Sequence, residues 1–149
     1  MIDEAAFEDF VAEVRSTFFS LRAVADGLHA DLGCSAVERG VLHELDRVGP
    51  TPVPTLARSR AVSRQAMQKT VDRMLKHGWV ETVANPNHQR SPLVAITAAG
   101  DQLQRTTRSR ERALLSSAPV PVTAAELEQA TATLARMRSF LATTGAAAR

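Results

Sequence analysis

The chain has no tyrosine, one cysteine and one tryptophan among its 149 residues. The single thiol, Cys34, has no second cysteine with which to close an internal disulfide, which fits a reducing, cytoplasmic setting. No apolar run approaches the ~20 residues that a membrane span needs. The opening Met1-Ile2-Asp3-Glu4 is acidic, unlike a secretory signal. A Gly-rich phosphate loop, a nucleophile elbow and a His-Glu-x-x-His pair are all missing, and the serines and histidines fall in no triad-like arrangement. These absences speak against an enzyme, a resident cofactor and a membrane protein, and leave binding as the expected activity.

What is present suits one domain spanning residues 1–149, since 44% hydrophobic content can build a core. The net charge of +2 is uninformative, but its distribution is not. Between Arg58 and Arg90, seven basic residues (Arg58, Arg60, Arg64, Lys69, Arg73, Lys76 and Arg90) face two acids, Asp72 and Glu81, while the remainder is net acidic. A basic stretch in an acidic frame is the footprint of a polyanion-binding protein.

Hydrophobic periodicity orders the rest. Phe7, Val11, Val14, Phe18, Leu21, Ala25 and Leu28 alternate in steps of four and three, a heptad seam predicting a helix over residues 4–31 that ends near Gly33. Ser35 and Glu38 have capping-box spacing and open a second helix whose core face is Val37, Val41, Leu42, Leu45 and Val48, with Gly49-Pro50 as its stop. Thr51-Pro52-Val53-Pro54 reads as a rigid connector into a short helix around Leu56. Ser63 caps a fourth helix that buries Met67, Val71, Met74 and Leu75 and stops at Gly78. Trp79–Val83 and Leu93–Ile96 read as strands joined by the turn-forming Asn85–Ser91.

Helices over 98–117 and 123–143 complete the chain, the last opened by a Thr123/Glu126 capping box and carrying a second seam of Leu127, Ala130, Leu134, Met137 and Leu141. Residues from Gly145 onward are expected to fray. The predicted fold is mainly α with a small β-wing: a winged helix-turn-helix over 35–97, flanked by N- and C-terminal helices whose seams interlock two chains. Acids on the first helix (Glu4, Glu8, Asp9, Glu13) and arginines on the fifth (Arg105, Arg108, Arg110, Arg112) favour pairing those two elements.

Val62-Ser63-Arg64, Val71-Asp72-Arg73-Met74-Leu75 and Gly78-Trp79-Val80 resemble the recognition helix and wing approach of the multiple-antibiotic-resistance regulator (MarR) family. Asn85-Pro86-Asn87-His88-Gln89-Arg90 and Ile96-Thr97-Ala98-Ala99-Gly100 resemble that family's wing patterns, Asp-Pro-x-Asp-x-Arg and Leu-Thr-x-x-Gly, and Leu32-Gly33 also fits. Asn85 and His88 stand where the family usually has acids that brace the wing arginine, which predicts a looser wing. Ala61 stands where glycine is common, at a cost on the order of 1 kcal/mol if the position needs positive φ. Arg60, at an often apolar position, is expected to turn outward to phosphates.

With the apolar face of the fourth helix inward, Arg64, Gln65, Gln68 and Lys69 face base edges in a major groove ~12 Å wide, where Arg takes guanine and Gln takes adenine. Ser63, Thr70, Arg73 and Lys76 are expected on phosphates. Arg90, assisted by Asn87 and His88, would enter the minor groove. The expected partner is double-stranded DNA, read by a homodimer at a palindromic operator with half-sites ~10 bp apart.

The resemblance further implies a small aromatic or phenolic ligand that releases a repressor, with Arg15, Arg22, His29 and His43 as its candidate anion partners. Members of the family can bind zinc near the junction of the first two helices, so a metal- or redox-responsive regulator using His29, Cys34 and His43 is an alternative. No histidine follows in the fifth helix to complete such a site. The thiol-based branch keeps its cysteine within the first helix beside tyrosines, which this chain lacks, so Cys34 reads as a small buried hydrophobe. A winged helix that binds protein rather than DNA is the opposing class.

Overall fold

The computed structural model describes residues 3–88 and 90–147. Its elements run α1 (Glu4–Leu28), a 3-10 turn (Ala30–Leu32), α2 (Ala36–Val48), β1 (Thr51–Pro52), α3 (Val53–Ser59), α4 (Arg64–Lys76), β2 (Val80–Val83), β3 (Leu93–Ile96), α5 (Ala98–Ser116) and α6 (Ala124–Ala147). The chain divides into two compact units, residues 1–112 and 113–149. The architecture is mainly helical with a small antiparallel sheet, as the periodicity predicts.

The first unit holds the core, where Val41, Leu42 and Leu45 of α2, Leu56 and Ala57 of α3, and Met67, Val71 and Met74 of α4 pack with Val80 and Val94 of the sheet. The Ser35 box forms as expected, with Ser35 Oγ accepting from Glu38 N at 3.3 Å and Glu38 Oε2 accepting from Ser35 N at 2.7 Å. The inward stripe of α2 differs at its margins. Val37 and Val48 are exposed, and Glu38 turns inward between them and the core. The buried residues of α2 are Glu38, Arg39, Val41, Leu42 and Leu45, without the two valines.

The expected connector is a strand at its start and a helix at its end. Thr51 and Pro52 pair with Val94 and Leu93 at one edge of a sheet ordered β1-β3-β2. Proline is tolerated there because an edge strand has one row of unpaired groups. Val53 and Pro54 already belong to α3, where the missing Pro54 N–H falls among the first-turn amides that have no helical partner. The hairpin pairs Val80 with Ile96 and Val83 with Leu93.

Two positions need particular residues. Ala61, between α3 and α4, has φ +52°, the left-handed conformation expected from glycine's place in relatives. Thr97, ahead of α5, donates from Oγ1 to Gly78 O at 2.6 Å and accepts from Gly100 N at 3.1 Å. Thr97 N also donates to Trp79 O at 3.1 Å. That same carbonyl lies 2.0 Å from where a Cβ on Gly100 would sit. The Thr-x-x-Gly spacing thus fastens the sheet to α5 by letting helix backbone touch strand backbone.

α1 starts on Asp3, whose Oδ1 accepts from Ala5 N at 3.1 Å. It stops at Leu28, three residues short of the expected end, and tightens into the 3-10 turn before Gly33 at φ +63°. No residue of α1 is buried. Within one chain the α5 arginines meet other acids. Arg105 binds Asp101 at 2.7 Å, Arg108 binds Asp46 of α2 at 2.6 Å, and Arg110 grips Asp31 through Nη2 at 2.8 Å.

In the second unit, the Thr123/Glu126 box forms, with Glu126 Oε2 accepting from Thr123 N at 2.7 Å and Thr123 Oγ1 accepting from Glu126 N at 3.3 Å. The helix continues through Gly145 to Ala147 rather than fraying at Gly145, and Ala148 and Arg149 lie outside the described residues.

Ala61→Gly should raise stability by roughly 0.5–1 kcal/mol by removing left-handed strain. Gly100→Ala should lower it by roughly 1–3 kcal/mol through overpacking against Trp79. Denaturant midpoints at unchanged m-value check both.

Candidate nucleic-acid interface

The candidate surface is built by α4. Ser63 caps it, its Oγ accepting from Ala66 N at 3.1 Å. Met67, Val71 and Met74 are buried, which forces the other side of the helix into solvent. Arg64, Gln65, Gln68 and Lys69 are all exposed there, as the spacing predicts. Gln68 Nε2 donates to Asp72 Oδ1 at 2.8 Å, a one-turn contact that a base could replace. Thr70 is half-buried and returns its hydroxyl to Ala66 O at 3.2 Å. Lys76 is exposed at the far end of the helix.

Arg73 and Arg60 are committed to the protein. Arg73 Nε lies 3.1 Å from Glu38 Oε1, and its Nη2 donates to Gly33 O at 3.2 Å. The Glu38 contact is an ion pair rather than an aligned hydrogen bond. Arg60, expected to turn outward, instead lies over α2. It donates from Nη2 to Gly40 O and sets Nε 3.4 Å from Glu44 Oε2. Gly40 leaves the room for this, since a Cβ there would strike the Arg60 guanidinium. The local signals in the sequence do not reveal such tertiary pairings. Glu38 was legible only as a cap, and Arg39 gave no signal at all.

The wing carries Asn87, His88 and Arg90, all exposed; Gln89 lies outside the described residues. Asn85 closes the turn, accepting from Asn87 N at 3.0 Å through Oδ1 and donating from Nδ2 to Ser91 O at 2.8 Å. An amide does both at once, whereas a carboxylate only accepts.

The residues considered for metal, redox or ligand chemistry go to separate partners. His29 is buried with Nε2 3.3 Å from Glu111 Oε1, and the exposed His43 meets Gln104 Nε2 at 3.2 Å. Arg22 lies 3.6 Å from Asp26, and Arg15 borders a shallow cleft with Phe7 and Val11 on α1. Among the described residues no three His, Cys, Asp or Glu side chains gather to hold a metal ion. Cys34 is buried, and that burial pushes its thiol up to about 11, the opposite of an activated thiolate. Arg110 holds the Asp31 carboxyl down at about 2.

A three-helix unit with a hairpin wing, presenting a polar, basic helix face, is a winged helix-turn-helix. A sequence model of the MarR family matches residues 32–91. The fold is similar to a crystallised MarR family transcription regulator, at 20% identity over 95% of this chain and 93% of that one, with a TM-score of 0.75. It is also similar to BldR of Sulfolobus solfataricus, at 19% identity over 91% and 99% of the two chains, with a TM-score of 0.76. BpsR of Bordetella bronchiseptica, whose DNA binding is regulated by 6-hydroxynicotinic acid, matches at 17% identity over 85% and 91%, with a TM-score of 0.70. No curated protein matches the sequence. The family model thus covers the winged helix-turn-helix part of the chain, and these solved structures share its fold. Among the described residues no helix is long and apolar enough to cross a membrane.

Because the Cys34 thiol is raised in the fold, the folded state keeps its proton while the unfolded chain loses it. Stability is therefore full below the thiol's ordinary pKa and falls as pH rises toward about 11. Thermal midpoints across that alkaline range should drop more steeply for the parent than for Cys34→Ala. Equal slopes would contradict the burial argument.

Proposed function

We propose that this chain is a repressor that binds a palindromic operator as a homodimer in the cytoplasm and is released by a small aromatic acid. The observation that carries the reading is the two-sided α4, with its Met67-Val71-Met74 face buried and Arg64, Gln65, Gln68 and Lys69 in solvent. Arg64 and Lys69 have no ion pair among the described residues, so both are free to meet DNA. Arg64, Gln65, Gln68 and Lys69 read base edges, while Ser63, Thr70 and Lys76 contact phosphates and set register. Arg90, with Asn87 and His88, follows the minor groove. Arg73, expected on phosphate from the sequence, instead sets its Nε 3.1 Å from Glu38 Oε1.

Dimer formation is supported by apolar side chains left in solvent by a single chain. Phe18, Phe19, Leu21 and Val24 of α1 are more than half exposed, as are Leu127, Phe140 and Leu141 of α6. Exposed apolar stripes of this length are covered by association, and the expected seams along residues 4–31, 98–117 and 123–143 supply the contacts. The effector reading rests on the family and on BpsR's aromatic acid ligand. Arg15, Arg22, His29 and His43 are the candidate partners for its carboxylate, acting by favouring a reader spacing that misfits the operator.

Operator binding by variants tests the interface. Arg64→Ala should cost roughly 1–3 kcal/mol and relax sequence choice, because a base contact is lost. Arg90→Ala should weaken binding and flatten its salt dependence by releasing fewer counterions. A variant at Arg90 that binds like the parent would remove the wing from the interface.

A further inference from the structure

Two buried charges sit side by side on the first turn of α2. Glu38 is 1% exposed and Arg39 is 9% exposed. They reach in different directions. Glu38 holds α4 through Arg73, at 3.1 Å, and Arg39 holds α1 through Asp26, at 2.7 Å. Each arginine of this set also secures one carbonyl of the loop between α1 and α2. Arg73 donates to Gly33 O at 3.2 Å and Arg39 donates to Cys34 O at 2.8 Å. Asp26 is held in its charged form, its carboxyl lowered first by the hydrogen bond from Arg39. Arg22 backs it from one turn earlier on α1.

Charges are rarely buried without a reason, because desolvation costs several kcal/mol per ion before pairing offsets it. The N-terminal cap explains one oxygen of Glu38, since Oε2 accepts from Ser35 N. It does not explain Oε1, which faces only the Arg73 guanidinium. Nor does it explain Arg39, which has no part in the cap. What the two residues share is position: one rigid helical turn carries both arms, so α1 and the reading helix are referenced to the same few atoms.

We propose that Glu38 and Arg39 are positioning residues for DNA reading, forming a charged joint that fixes α4 relative to α1 across the Gly33–Ser35 loop. This rests on the DNA-binding reading above. In that joint Arg73 serves mainly as the strut of α4 and not as a phosphate ligand. Displacement of α1 passes to α4 through Arg39, the first turn of α2 and Glu38.

Glu38→Gln is the sharpest probe, because glutamine keeps the capping box but removes the charge facing Arg73. The variant should fold, keep its sequence preference, and bind operator about tenfold more weakly, within the usual range of coupling between sites. Its plot of log affinity against log salt should keep the parental slope, since no phosphate contact is lost. Arg73→Gln should behave the same way, and the double variant should be no weaker than either single one.

Parental affinity in Glu38→Gln, or a slope reduced by about 1 in Arg73→Gln alone, would overturn the proposal and return Arg73 to the phosphates. Should Glu38→Gln not fold, Asp26→Asn loosens the α1 arm at a half-exposed residue. It should weaken binding to a two-half-site duplex while leaving an isolated half-site unaffected, and equal effects on both would reject the joint. If the parent binds no duplex, the DNA reading fails instead. The joint then stands or falls on whether Glu38→Gln and Arg73→Gln are non-additive in thermal unfolding.

Discussion

The burial of one face of α4 is the constraint on which the rest depends. Met67, Val71 and Met74 go inward against Leu42, Leu45 and Leu56, and no rotation of the helix satisfies them otherwise. Turning α4 by one residue would bring Gln68 or Asp72 into the core and strand a polar group there, at a cost of roughly 1–3 kcal/mol each. The reading face is therefore fixed by what lies behind it. Arg64, Gln65 and Lys69 need no structural partner of their own, because the hydrophobic side of the same helix aims them.

The charged residues divide between surface and frame. Those on the outer face of α4 and on the wing tip are exposed and available to a polyanion. Those near the helix junctions are occupied: Arg60 on Gly40 and Glu44, Arg73 on Glu38, Arg39 on Asp26, Arg108 on Asp46 and Arg110 on Asp31. The basic stretch from Arg58 to Arg90 is thus less available than its charge count suggests. Two of its five arginines, Arg60 and Arg73, hold the winged domain together. Sorting a basic patch in this way matters because only unpaired cations release counterions on binding without first breaking an internal pair.

Signals confined to a few residues were legible in the sequence. Both capping boxes, the Ser63 cap, the Gly78 stop and the hairpin turn each depend on near neighbours in the chain, whereas a positive φ at Ala61 follows only from the family resemblance. The buried face of α4 was legible for the same reason, through its 3.6-residue period. What was missed depends on distant partners. Thr51-Pro52 is too short and proline-rich to read as a strand and becomes one only by pairing with Leu93 and Val94. Val37 looked like core until Glu38 took the inward position, drawn by Arg73 from 35 residues away in sequence. Arg60 looked like a phosphate contact because nothing local announces that Gly40 leaves space for it.

The central claim is that two buried-face-aimed helices read DNA together as a symmetric pair. Selecting duplexes from a random pool with the parent chain and sequencing those retained tests it most directly. The account predicts enrichment of a palindrome whose half-sites are centred ~10 bp apart, one turn of the double helix. Recovery of a single asymmetric half-site, or of no enriched sequence at all, would contradict it.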